Sequence, residues 1–165
     1  MEVKLWRALY ALVVSVSHAP RRKREQYADA WVLAVALWAV VHDRPMRWAC
    51  DRRNWPGWLD TPLPSPSRLS RRLRTVGVLQ LLERTLAAAV ARLPVPMVKA
   101  VDSKPLLVGA YSKDADAKRG RLADGCFARG YRLHALCHGR AVYRWVLAPM
   151  NRHDAAVAPE LLPHL

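Results

Sequence analysis

Acidic side chains are scarce: 13 Asp and Glu stand against 27 Lys and Arg in 165 residues, leaving a formal net charge of +14. Such an imbalance calls for a polyanionic partner, nucleic acid before a membrane surface. Cysteine is also sparse. Cys50, Cys126 and Cys137 form no CxxC pair and are odd in number, which argues against a disulfide framework and fits a reducing cytoplasm. No apolar run is long enough for a bilayer. The stretch from Ala30 to Val41 is uninterrupted but far short of the ~20 residues a span needs, so it reads as a buried helix and no membrane partner is expected. Leu5 to Val16, followed by Ser17-His18-Ala19, is not a signal peptide either: Arg7 breaks the run, the leading charge is weak and Pro20 follows the would-be cut. No internal repeat is present.

With 52% hydrophobic residues the chain can build a core, which excludes wholesale disorder and leaves one compact domain or two small ones. Residues 1–99 hold 17 Lys and Arg against 7 Asp and Glu, and residues 100–165 hold 10 against 6. The first part is therefore the stronger candidate for gripping DNA. Arginine far outnumbers lysine, which suits bidentate phosphate contact, although coding bias would do the same.

The first part reads as helical. Trp6–Val16 predicts one helix and Glu25–His42 a second, with Tyr27, Trp31, Ala34, Trp38 and Val41 recurring at helical steps as core residues. Six of seven tryptophans precede residue 59, so this end has its own small core. Pro45 can open a short helix through Cys50, and Asn54–Pro66, with four prolines, is a loop. Ser67 can cap a helix to Val76 whose apolar face is Leu69, Leu73 and Val76, and whose remaining surface carries Arg68, Arg71, Arg72 and Arg74. Gly77 suits a stop before a helix over Val78–Leu93, and Pro94 and Pro96 mark a boundary.

Beyond the boundary the period changes to that of strands. A first strand over Val98–Val101 ends near Asp102, in Val101-Asp102-Ser103-Lys104-Pro105. Ser112–Gly125 reads as a loop. Tyr131–His138 alternates, with Arg132, His134 and His138 on one face, and Ala141–Ala148 is an apolar strand after a tight turn at His138-Gly139-Arg140. Ala155–Leu162 predicts a helix, with Asp154 as its N-cap. His134 and His138 lie ~13 Å apart on a strand, too far to share a zinc ion. Tyr131, Tyr143 and Trp145 could stack on RNA bases if exposed, but their apolar strands predict burial.

In this order, Asp102 in VDSKP, the basic loop, GYRLH at 130–134 and NRHD at 151–154 before a Leu-containing helix resemble the opening of the nuclease domain in bacterial insertion-sequence DDE transposases. The Ser-Arg-Leu-Ser-Arg-Arg-Leu-Arg segment resembles the DNA-binding region preceding it. The resemblance implies an α+β chain: helical DNA-binding residues 1–93, with a possible helix-turn-helix, then residues 97–165 as an incomplete RNase H-like domain of three strands and a helix. It implies a metal-dependent nucleotidyltransferase in which three carboxylates hold two Mg²⁺ (or Mn²⁺) ions. Asp102 matches the first carboxylate, as catalytic residue and metal ligand. The other two have no counterpart here, so the expectation is a truncated copy that binds metal weakly and does not cut.

The implied partners are DNA at transposon terminal inverted repeats and further copies of the chain or a full-length transposase. Candidate DNA contacts are Arg21, Arg22, Lys23, Arg24, Arg68, Arg71, Arg72, Arg74, Lys104, Lys113, Lys118, Arg119, Arg121, Arg132 and His134, with a structural role equally open to His134. The competing reading is a non-catalytic DNA-binding protein or regulator working through its basic helical part.

Overall fold

The computed structural model describes residues 1–17, 26–109, 111–139 and 141–162. The chain is α+β, helices first and strands after, and divides into two compact units, Met1–Arg92 and Leu93–Leu165. No helix among the described residues is long and apolar enough to cross a membrane.

The first unit is built around α2 (Asp29–Val41), buried on nearly every side because its sequence offers almost no polar face. Packed on it are α1 (Glu2–Ser15), α3 (Pro66–Arg72) and α4 (Val76–Val90). Trp6, Trp31, Trp38 and Trp55 meet at the centre. Trp38 and Trp55 stack at 4.8 Å between centroids, and Trp6 stands edge-on to Trp55 at 5.3 Å. A buried indole needs an acceptor for its N–H, and the backbone supplies all four: Trp6 donates to Ala34 O, Trp31 to Pro62 O, Trp38 to Asn54 O and Trp55 to Ala49 O. The Tyr27 hydroxyl donates to Leu63 O at 2.9 Å. The proline-rich loop is thus held by side chains of the α2 region rather than by a backbone ladder of its own.

Several boundaries differ from the sequence expectation. The first helix starts at Glu2 and the second at Asp29, leaving Tyr27 ahead of it. Pro45–Cys50 gives only a 3₁₀ turn at Trp48–Cys50. Ser65, not Ser67, precedes α3, with Pro66 in the first helical position. Gly77 is no stop. It lies in the first turn of α4, where a Cβ would come within 2.7 Å of Asp29 Oδ2, so glycine permits the close approach of α2 and α4. Val76 consequently leaves the apolar face and is 68% exposed.

In the second unit the central strand is β3 (Phe127–His138). Along one side runs β1 (Ala100–Leu107), antiparallel, with Ser103 opposite His134 and Asp102 opposite Ala135. Along the other run β4 (Ala141–Pro149) and then β2 (Lys118–Arg121), both antiparallel. The sheet therefore has four strands rather than three. The extra strand has no apolar alternation to announce it; Lys-Arg-Gly-Arg pairs only because β3 begins at Phe127, earlier than its periodicity implies. Helix α5 (Asp154–Leu161) covers one face, burying Val157 and Leu161 against Leu136 and Ala148.

Gly120 in β2 is pressed against the chain beyond β4: a Cβ there would sit 2.3 Å from the Met150 carbonyl oxygen. Backbone cannot yield as a side-chain tip can. Gly120→Ala should destabilise the second unit by about 2 kcal/mol, read as a lower melting temperature with the helical unit unchanged.

Candidate nucleic-acid interface

On the first unit, α3 and the residues just after it carry several of the exposed cations. Arg68, Arg71 and Arg74 are exposed, and the Arg68 guanidinium donates to Gln26 Oε1. Arg72 is different. It pairs with Asp29 in the first turn of α2, and its side chain is only 19% exposed. Its charge ties α3 to α2, so it is a structural cation and the least suited of the four to meet a phosphate. Arg21, Arg22, Lys23 and Arg24 lie outside the described residues.

On the second unit, period-2 alternation sorts the candidates by face. Asp102 is exposed on the face away from α5, shared with Lys104, Leu106 and Trp145. It is the third residue of β1, not the end of a shorter strand. Its Oδ1 accepts from the Ser103 amide at 2.8 Å. Among the described residues no group of three or more His, Cys, Asp or Glu side chains is placed to hold a metal ion.

The opposite face carries a connected polar network. His134 is fully buried, and its Nδ1 donates to Asp154 Oδ1 at 2.7 Å. Asp154 is the first residue of α5, with His153 preceding it, so its carboxylate serves β3 rather than capping the helix as expected. Burial acts most strongly on this carboxyl and pushes its pKa up. The Ser103 hydroxyl, the His134 hydrogen bond and the nearby charges of His134 and Arg132 together outweigh that and hold it below the ordinary aspartate value. Of the two roles open to His134, the structure places it inside the domain. Its Nε2 has no partner among the described residues, nor does Arg132 Nε two positions earlier on the same face.

Arg121 and Arg132 are brought together. Arg132 Nη2 donates to Arg121 O at 2.6 Å, and both line a cavity of about 340 Å³ with Ser103, His153 and the apolar walls Pro105 and Leu122. Sequence reasoning named the two arginines separately and missed Ser103 and His153; the VDSKP and NRHD motifs held them, but only the strand register sets them side by side.

Lys113 and Arg119 are exposed, while Lys118 Nζ donates to Ala115 O at 2.9 Å. The same loop is gripped by Arg129, unnoticed in the sequence, whose guanidinium donates to the carbonyls of Ser112, Asp114 and Ala117. The Tyr131 hydroxyl donates to Asp114 Oδ2 at 2.7 Å; that bond, burial and the carboxylate charge push the phenol up to about 12. The bond holds Asp114 below the usual carboxylate range. Tyr143 donates to Pro94 O, with Lys99 over its ring. Of the three aromatics considered for base stacking, Trp145 is the open one, at 51% exposure where burial was expected.

Compared with protein-family models, curated proteins and solved structures, the chain matches none.

Proposed function

We propose that this chain binds DNA as the helical region and leading nuclease strands of an insertion-sequence DDE transposase, and that it does not cut DNA by itself. One observation carries the reading: Asp102 lies on the first strand of an antiparallel β1–β3–β4 sheet followed by a helix on one face, the order the family resemblance implies for an RNase H-like opening. The net charge of +14 and the exposed arginines of α3 support the DNA-binding half. Only the three residues Leu73, Arg74 and Thr75 separate α3 from α4, a connection short enough for a helix-turn-helix.

The described residues do not fit a two-metal centre. Asp102 is one exposed carboxylate with an oxygen engaged by the Ser103 amide, and Asp154 is on the other face, bonded to His134 and Ser103. Two Mg²⁺ ions across one phosphate require carboxylates converging from several elements. No cleavage step is therefore assigned to this chain, and the non-catalytic binding reading describes its activity in isolation.

The purified chain, incubated with supercoiled plasmid and Mg²⁺ or Mn²⁺, should retard the DNA on a gel without nicking it, and Asp102→Asn should bind as the wild type does. Metal-dependent nicking that vanishes in Asp102→Asn would show an assembled catalytic centre instead. Failure to bind duplex DNA at low salt would remove the nucleic-acid reading.

A further inference from the structure

We infer that the cavity between Ser103, Arg121, Arg132 and His153 is a binding pocket for a single phosphate group, filled by a phosphodiester of bound nucleic acid. The identity of the polymer rests on the DNA-binding reading above; the pocket itself does not.

The walls come from separate stretches of chain: Ser103 on β1, Arg132 on β3, Arg121 at the end of β2, and His153 just before α5. Two of them, Arg121 and Arg132, are permanent cations. Arg132 is held in place by its own bond to Arg121 O, which fixes the guanidinium without consuming its charge. An oxyanion in the cavity supplies the opposite charge to both guanidinium groups.

Asp154, which accepts from the Ser103 hydroxyl and His134 Nδ1, lies near enough for its charge to act on Arg132 and so offsets part of this field; with Arg121 as the second guanidinium the pocket stays net positive. The cavity, at about 340 Å³, is at the small end of the ~300–1,000 Å³ typical of ligand sites. That is room for one phosphate with its sugar, not for a stacked base pair. Pro105 and Leu122 form apolar sides that suit a sugar edge. A pocket filled by a phosphate contributes position, independent of sequence.

Two titrations on the full chain test this. Inorganic phosphate added to isotope-labelled protein should shift the amide resonances of Ser103, Leu122, Ala123 and Arg132 saturably, and the shifts should vanish in Arg121→Gln/Arg132→Gln. Fluorescence anisotropy on a short labelled duplex should show the double variant binding about tenfold more weakly, with the single exposed change Arg121→Gln giving part of that loss in a protein whose spectrum is otherwise unaltered. Duplex binding unchanged in both variants, with no saturable phosphate shifts in the wild type, would overturn the pocket while leaving the DNA reading intact. Saturable phosphate shifts in a chain that binds no duplex would support the pocket as a free-phosphate site and overturn its assignment to nucleic acid.

Discussion

Replacing Arg68, Arg71 and Arg74 together by alanine should weaken binding to duplex DNA by about two orders of magnitude at low salt and leave the fold unchanged. All three are exposed, and none is buried against the aromatic core. Each phosphate that a cation neutralises releases condensed counterions, so log K falls with log salt by ~0.9 per contact. Losing three contacts should flatten that slope by about 3. The loss should be the same for any duplex sequence if these arginines grip the backbone, and larger for a preferred sequence if any reads a base edge. Arg72→Ala should behave differently. It breaks the pair with Asp29 and so should lower the stability of the helical unit, with a smaller direct effect on the salt slope. An unaltered slope in the triple variant would move the DNA contact away from α3, toward the basic stretch at residues 21–24 or the second unit.

The contrast between Arg72 and its neighbours shows what the sequence could and could not reveal. Helical spacing picks out Trp31, Ala34 and Trp38 as core, and the core is where they lie. It also places Leu69 inward. It cannot distinguish an arginine facing solvent from one facing a carboxylate 43 positions away, because that depends on how α3 packs against α2. Gly77 misled for a related reason. Glycine commonly ends helices, but here it lies inside the first turn of α4 beside the Asp29 carboxylate, a tertiary neighbour with no local signature.

In the second unit the alternation of Tyr131–His138 correctly divides two faces, yet not their contents. Trp145 is open although its strand is apolar, because α5 covers only the other face. The strand Lys118–Arg121 lacks any periodic signal and exists because β3 offers it an edge. The candidate site was legible as residues but not as a site. Asp102 and Asp154 both stand out as acids in motifs, and only the register of β1 on β3 separates them onto opposite faces.

That register yields the second large effect. Asp154→Ala should destabilise the strand-rich unit by about 3 kcal/mol, since it leaves the wholly buried ring of His134 without the acceptor for Nδ1, and buried donors stripped of a charged partner lose that much. Asp154→Asn keeps an acceptor and the shape and should cost less, whereas a role limited to capping the helix would hold the alanine loss to ~1 kcal/mol and leave asparagine near the wild type.

The pH dependence follows from the direction of the shift. The Asp154 carboxyl is held below its ordinary value in the folded chain. Its contribution is therefore complete above the unfolded aspartate pKa of ~3.9 and is lost as pH falls through the lower folded value. Acid titration should thus melt the wild-type second unit more steeply below about pH 4 than Asp154→Asn, which has no proton to take up there. Identical acid limbs in the two proteins would mean that the carboxylate contributes nothing to this domain by being ionised, and that His134 is held by packing against the sheet and α5.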